Sequence, residues 1–176
     1  PAALILRGPL DITVLQQVVS TLTARHEALR TRFIQQDGVA IQVIEANSTL
    51  SLELETSELS FSNKSALLSL AQQEVLTPFD LSKAPLCRLR LLRLQDDEGE
   101  AVHLLMLNLH HIITDGWSNG ILMQEIAALY QAYLEGGVSP LAPLAVQYGD
   151  FAFWQQQTMP AAVLAEKTQF WRTQLK

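Results

Sequence analysis

Two apolar stretches on either side of a short acidic segment constrain the fold of this chain more than any other feature. The stretches cover residues 86–94 and 101–110, and the segment between them reads Asp96-Asp97-Glu98-Gly99-Glu100. Apolar runs of this length, joined by a polar turn, are typical of two antiparallel β-strands. Because both runs are apolar, we place this hairpin at the centre of a sheet.

Further strands are predicted around this hairpin. Residues 4–6 form a short apolar run that ends before Gly8-Pro9, and residues 31–35 and 39–44 flank Asp37-Gly38. An Asp-Gly pair tolerates the positive φ that a tight turn requires, so the latter two runs predict a second hairpin. A weak alternation at 50–54 indicates an edge strand.

Helical patterns alternate with these strands. Asp11 is a suitable N-cap for a helix that continues to about Ala28, and Pro78 ends a helical pattern that begins at Ser65. A third helix is predicted for 118–134, ended by Gly136-Gly137. The loop 139–143 leads into the segment 148–157, and a final helix is predicted for 161–175. Strands mixed with helices predict an α/β chain, arranged as an α+β two-layer sandwich.

Composition excludes several classes of protein. With 176 residues, 48% of them hydrophobic, the chain is long enough for one globular core. A net charge of −6 argues against binding to nucleic acid, which needs a basic face. No apolar run is long enough to span a bilayer, and no signal peptide is evident. The single cysteine, Cys87, fits a reducing compartment, and we expect a cytoplasmic protein.

The start of the chain also carries information. It opens at Pro1 without an initiator Met, only a few residues before the first predicted strand. We therefore expect the sequence to be a piece of a longer protein.

The residues with the clearest chemical potential follow the second strand of the central hairpin. His110, His111 and Asp115 lie between that strand and the third predicted helix. Side chains alternate between the two faces of an extended chain, so one imidazole is expected to point into the protein and the other into a cleft. A histidine in a cleft can accept and return a proton near neutral pH, because its ordinary pKa is about 6.5.

Other interpretations of these residues remain open at this point. His110 could be a core histidine and Asp115 merely the cap of the helix that begins near Ser118. A zinc site would need convergent ligands, whereas adjacent strand residues diverge. A nucleophilic Ser118 lacks the flanking glycines of a nucleophile elbow, and Cys87 lies within an apolar strand typical of a core.

Four segments, in order, resemble the motifs of one family. Residues 110–116 read His-His-Ile-Ile-Thr-Asp-Gly, similar to the HHxxxDG signature of condensation domains of nonribosomal peptide synthetases. Residues 25–33 are similar to the family segment RHExLRTxF, residues 78–86 to PFDLxxxPL, and residues 148–155 to YxDxxxWQ. The chain is thus identified as a member of this family, which belongs to the chloramphenicol acetyltransferase-like superfamily.

The resemblance implies a mixed sheet packed with helices, forming one lobe of a two-lobed domain. Residues 1–176 would be the N-terminal lobe, without the first family motif and without the C-terminal lobe. In such domains the active site lies in a tunnel between the lobes. The isolated lobe is therefore expected to be inactive.

The resemblance also implies roles for individual residues. His111 would act on the acceptor amine, either as a general base or by positioning it and stabilising the tetrahedral intermediate, with His110 beside it. Asp115 would be structural and pair with an arginine of the RHExLRTxF segment, with Arg30 the first candidate before Arg25 and Arg32. Gly116 would permit a positive φ and close approach of a substrate arm, and Trp117 would support the site by packing.

The implied reaction is amide bond formation between two thioesters held on carrier proteins, as part of secondary metabolite biosynthesis. No metal and no cofactor of its own is expected, because the phosphopantetheine arms belong to the donor and acceptor carrier domains. Further partners would be the chain's own C-terminal lobe and an adjacent adenylation domain, with no nucleic acid and no membrane. An epimerisation domain and a non-catalytic docking lobe are the alternatives, whereas His110 argues against a heterocyclising domain.

Overall fold

The computed structural model describes residues 2–95 and 100–175. The strands are β1 (Ala2–Arg7), β2 (Thr31–Gln36), β3 (Val39–Ile44), β4 (Leu52–Ser60), β5 (Cys87–Gln95) and β6 (Val102–Leu109). The helices are α1 (Ile12–Arg25), α2 (Lys64–Leu76), α3 (Gly116–Leu134), α4 (Tyr148–Thr158) and α5 (Ala161–Gln174). No helix within these ranges is long and apolar enough to cross a bilayer.

The main sheet is built around the hairpin that the apolar stretches predicted. Its strand order is β1-β6-β5-β4, so β5 and β6 lie at the centre and pair antiparallel from Cys87↔Leu109 to Leu94↔Val102. The predicted acidic turn lies mostly at 96–99, outside the described residues. β4 is the predicted edge strand, but it pairs parallel to β5 and makes the sheet mixed.

Helices cover both faces of this sheet. One face packs against α1 and α3 through a cluster that includes Val18, Leu91 and Leu129, all fully buried. The other face packs against α2 through a smaller cluster that includes Leu67 and Val102. Every residue of β6 is buried. The α/β class is confirmed, with α2 as a helical layer beyond the two that were expected.

Helix α1 shows how local sequence sets an element. The Asp11 carboxylate accepts a hydrogen bond from Val14 N–H at 3.0 Å, as predicted for the N-cap. The helix ends at Arg25 instead of continuing to Ala28, and residues 27–30 form a 3-10 turn that places Leu29 in the core. β2 and β3 pair as predicted, with φ of 52° at Asp37 and 80° at Gly38.

The chain divides into two compact units. The first ends at Pro143 and contains the sheets with α1, α2 and α3, and the second begins at Leu144 and contains α4 and α5. Helix α4 starts with a capping box in which Asp150 accepts a hydrogen bond from Gln147 N–H at 2.8 Å. Helix α5 agrees with the predicted range 161–175 to within one residue, whereas no helix was predicted for the segment that forms α4.

Candidate active site

The HHxxxDG segment forms a tight connection between β6 and α3. His110 N–H donates to the Leu86 carbonyl at 3.0 Å, which ties the end of β6 to the residue before β5. Ile113 N–H donates back to the His110 carbonyl at 3.1 Å and closes a turn around His111. Both histidines therefore lie just beyond the strand, in a turn whose start is fixed by the central hairpin.

The two imidazoles have different environments. His110 is half-buried and meets the Phe79 ring edge-on, with ring centroids 5.9 Å apart and planes at 86°. His111 is exposed, and its ring makes no hydrogen bond within the described residues. The two rings thus differ in burial as expected, whereas the cleft predicted for the accessible ring stays a prediction. The cause is the turn geometry rather than strand alternation, since β6 ends at Leu109.

A backbone hydrogen bond selects one tautomer of the neutral His110 ring. Its Nδ1 accepts from Ile112 N–H at 3.1 Å, so the Nδ1 lone pair is already used. A neutral ring in this geometry carries its proton on Nε2. Protonation at Nδ1 would break the hydrogen bond, which makes His110 the less suitable of the two rings for proton transfer.

Asp115 is the N-cap of α3. Its carboxylate accepts from Ser118 N–H at 2.8 Å and from the Ser118 hydroxyl at 2.7 Å. These hydrogen bonds lower the pKa of the Asp115 carboxyl, and the nearby His111 imidazole lowers it further. The capping interpretation is thus confirmed, with α3 beginning at Gly116.

The predicted ion pair between Asp115 and Arg30 is not formed within the described residues. Arg30 donates instead to the Glu45 carbonyl at 2.8 Å and to the Glu27 carboxylate at 3.4 Å, and Arg32 pairs with the Glu45 carboxylate. Both arginines therefore support the segment around β2 and β3. The prediction is wrong because the exposed Asp115 carboxylate caps its own helix, which satisfies it locally.

Arg25 supports α3 through a carboxylate that was not among the predicted site residues. Glu125 is 8% exposed, and it accepts from Arg25 Nε at 3.1 Å and lies 2.6 Å from His26 Nε2. Arg25 also donates to the Ala142 carbonyl at 2.6 Å. The signal was present in the sequence, because Glu125 lies between Leu122 and Leu129 on the buried face of α3.

Gly116 lacks the predicted positive φ, and Trp117 lacks the predicted packing within the described residues. Gly116 is the first residue of α3 and is not among the described glycines with positive φ. Apart from its chain neighbours and the backbone of its own helix, no described heavy atom lies within 4 Å of the position that a Cβ would take at Gly116, so the space there is open. Trp117 is 80% exposed and does not support the site by packing within this chain.

The alternative nucleophile and metal interpretations gain no support from the side chains. Cys87 is 2% exposed, and burial raises the pKa of its thiol to about 12. The Ser118 hydroxyl donates to Asp115 and is part of the helix cap. Among the described residues, no group of three or more His, Cys, Asp or Glu side chains could hold a metal ion.

Comparisons with known proteins agree with the motif resemblance. The family model of the condensation domain matches residues 1–176. One of the proteins that make up the linear gramicidin synthase of Brevibacillus parabrevis is 38% identical over 179 residues, which cover 99% of this chain and 2% of that protein. The X-domain from teicoplanin biosynthesis has a TM-score of 0.79 at 29% identity, over 97% of this chain and 37% of that one.

A third comparison concerns the fold alone. The epimerization domain from the third module of tyrocidine synthetase B has a TM-score of 0.75 at 21% identity, over 99% of this chain and 40% of that one. This chain therefore spans less than half of these solved structures and a small fraction of the gramicidin synthase protein. The predicted chloramphenicol acetyltransferase-like fold is confirmed by these structural neighbours. The chain belongs to the condensation-domain family of nonribosomal peptide synthetases.

Proposed function

We propose that the parent protein forms amide bonds between carrier-bound building blocks in nonribosomal peptide synthesis. In this proposal residues 1–176 are the N-terminal lobe of its condensation domain and contribute His111 to the reaction. The family match over the whole chain supports the proposal, as does the 38% identity to a linear gramicidin synthase protein. The separate lobe is inactive in this proposal because a second lobe is needed to close the site.

The contrast between the two imidazoles is the observation that carries this proposal. His110 is held by Phe79 and by Ile112 N–H, whereas His111 is exposed at the start of α3. An exposed imidazole with no competing hydrogen bond in the described residues is available to a substrate amine. General acid–base catalysis by such a group contributes a factor of about 10² to 10⁴.

The bond changes balance without a redox step. The acceptor amine attacks the thioester carbonyl of the donor, the new C–N bond forms, and the C–S bond breaks to release the pantetheine thiol. The proton lost by the amine passes through His111 to the leaving sulfur. A thioester is already activated, so orientation of the two reactants and transfer of one proton are sufficient tasks for the protein. No covalent intermediate on the enzyme is required.

The proposed partners follow from this chemistry. Donor and acceptor carrier domains deliver the two thioesters on phosphopantetheine arms, so the lobe needs no cofactor of its own. The C-terminal lobe of the same domain would form the opposite wall, and an adenylation domain would load the acceptor carrier. We place this assembly in the cytoplasm. The open space in front of Gly116 supports the approach of a pantetheine arm at the start of α3.

Product analysis of the parent protein tests the proposal. The protein is mixed with donor and acceptor carrier domains loaded with defined amino acids, and the carrier-bound products are released for mass and chiral analysis. A condensed product on the acceptor carrier is expected. An acceptor residue of unchanged mass with an inverted α-carbon would instead show epimerisation, and unchanged substrates on both carriers would indicate a docking lobe.

A further inference from the structure

We propose that Arg88 is a positioning residue that acts through Phe79 and His110 to hold the turn carrying His111. This inference rests on the proposed function, because it concerns the residue assigned to proton transfer. The observation behind it is a continuous series of contacts from the half-buried Arg88, on the face of the sheet that packs against α2, to the candidate active site. None of the three residues needs to touch the substrate.

Arg88 fixes the end of α2 and the loop that follows. Its guanidinium donates to the carbonyls of Glu74 and Thr77 at 3.2 and 2.7 Å, and to the Pro78 carbonyl at 3.3 Å. The last carbonyls of a helix have no partner within the helix, so a cation in this place both caps α2 and complements its dipole. The start of the loop is thereby held to β5.

Glu74, the carboxylate that binds Arg88, is itself held in place by several contacts. Glu74 is nearly buried and pairs with Arg88 Nε at 2.7 Å and with Arg90 at 3.3 Å. Arg90 also makes two hydrogen bonds to Glu55, at 2.9 and 2.8 Å, and Asn108 Nδ2 donates to the Glu74 carbonyl at 3.0 Å. Three strands and one helix therefore fix the position of the Arg88 guanidinium.

Phe79 links the Arg88 guanidinium to the candidate active site, because it contacts both Arg88 and His110. The Arg88 Cζ lies 3.9 Å from the centroid of the Phe79 ring, which is a close cation–π contact. Phe79 also contacts the His110 ring, with ring centroids 5.9 Å apart and a T-shaped arrangement. A ring held in place by a guanidinium restricts the orientations of an imidazole that packs against it.

The orientation of His110 determines the turn that follows. Its Nδ1 accepts from Ile112 N–H and its carbonyl accepts from Ile113 N–H, both at 3.1 Å. These two hydrogen bonds span His111 and fix the backbone on both sides of it. A rotated His110 ring would lose the bond to Ile112 and release His111 from its position. Displacement of a catalytic group by about 1 Å can lower a rate by up to about 10²-fold.

Substitutions at Phe79 test the inference with little disturbance of the helix end. Phe79→Leu keeps an apolar side chain but removes the ring, whereas Phe79→Tyr keeps the ring. Arg88→Lys keeps the charge and removes the planar guanidinium. The matched control is Phe61→Leu, because Phe61 has the same type of contact with Arg7, at 4.4 Å, near the opposite end of β6.

The first readout is independent of amide formation. Diethyl pyrocarbonate modifies unprotonated imidazole nitrogens, and fragment masses distinguish His110 from His111 in the parent protein. In the unmodified sequence, His111 is expected to react faster than His110. Phe79→Leu is expected to raise the rate at His110 several-fold, while Phe79→Tyr and Phe61→Leu leave it unchanged.

The second readout is the amide-forming reaction of the parent protein with loaded carriers. We expect Phe79→Leu and Arg88→Lys to lower kcat about 10-fold or more, with KM for the loaded acceptor carrier unchanged. Phe79→Tyr is expected to remain close to the parent rate. A purely structural role would lower the thermal midpoint of the variants and leave kcat of the folded protein unaltered.

The outcomes separate this inference from the proposed function. If the parent forms amides, and Phe79→Leu matches Phe61→Leu in both kcat and His110 reactivity, the positioning role is overturned. If the parent forms no amide, the proposed function fails. In that case the rate of His110 modification alone tests the inference. A rate that Phe79→Leu leaves unchanged overturns the role of Phe79 in holding His110, and a raised rate supports it.

Discussion

The Asp115 carboxylate binds Ser118 twice, through the backbone N–H at 2.8 Å and through the hydroxyl at 2.7 Å. This relationship makes Asp115 the cap of α3 and leaves its carboxylate beside His111, whose imidazole lowers the pKa of Asp115. The aspartate of the motif therefore fixes the first turn of α3, next to the exposed imidazole.

If Asp115 caps α3, its substitution by Ala should lower thermal stability more than its substitution by Asn. Asn is as good an N-cap as Asp, whereas Ala provides no acceptor for the Ser118 N–H. We expect Asp115→Ala to lower the midpoint of thermal unfolding by about 3 °C and Asp115→Asn to change it little. Circular dichroism melting curves measure both. Equal midpoints for Asp115→Ala and the parent sequence would contradict the capping role.

Glu125 is expected to be the most sensitive charged position in the contact between α1 and α3. Its carboxylate is 8% exposed and faces both Arg25 and His26, so Glu125→Ala removes a common partner from a mostly buried site. Loss of one partner from such an ion pair costs about 3 to 5 kcal/mol. Urea unfolding measures the change. Glu58→Ala, at an exposed position of β4, is the control and is expected to cost less than about 0.5 kcal/mol.

The burial of His103 leads us to expect that the folded chain loses stability in mild acid. It is 5% exposed in β6, its Nδ1 has no hydrogen-bond partner in the described part of the chain, and burial lowers its pKa below 6.5, with a further contribution from Arg93. The unfolded chain consequently binds a proton at higher pH than the folded chain. The free energy of unfolding therefore falls as the pH drops below about 6.5.

Replacement of His103 tests this pH dependence. We expect His103→Leu to reduce the difference in unfolding free energy between about pH 7.5 and about pH 5, as measured with urea. The lowered pKa values of Glu55 and Asp80 act in a different range. Both carboxyls add to the free energy of unfolding at pH values above their ordinary pKa values, 4.5 for Glu55 and 3.8 for Asp80. This stabilisation is lost as the pH falls below those values. An unchanged pH dependence in His103→Leu would refute the assignment.

Cys87 offers a direct test of the core, because it is the only cysteine in the sequence. The thiolate is the reactive form, and a thiol with a pKa of about 12 is almost entirely protonated at neutral pH. We expect the native chain to react with a thiol reagent far more slowly than the urea-unfolded chain. Rapid labelling of the native chain would show that this end of β5 is open to solvent.

The elements that local sequence determines were predicted well. The Asp37-Gly38 turn and the Asp11 cap follow from the backbone preferences of single residues, and the structure contains both. The parallel pairing of β4 with β5 could not be predicted in this way, because it joins strands separated by α2. Parallel pairing depends on where the connecting helix packs, which a local pattern does not encode.

The site was predictable in outline but not in its supporting contacts. The motif identified His110, His111 and Asp115, yet the ion pair assigned to Arg30 is replaced by contacts around β2 and β3. The sequence contained two signals of these supporting contacts that the predictions did not use. One is an arginine in a leucine-rich strand, Arg88 in β5, and the other is a glutamate on an apolar helix face, Glu125 in α3. Each is a charged residue at a position where periodicity predicts burial, and such a residue requires a partner.

The claim that His111 transfers the proton is tested most directly by single-turnover amide formation in the parent protein. The same substitution, to Asn, is placed at His110 and at His111 in separate variants. Asn retains an acceptor oxygen that can replace His110 Nδ1 in the bond to Ile112 N–H, but it cannot transfer a proton at neutral pH. We expect His111→Asn to lower the rate at least about 10²-fold and His110→Asn to lower it less than about 10-fold. Equal losses, or a larger loss for His110→Asn, would contradict the assignment of proton transfer to His111.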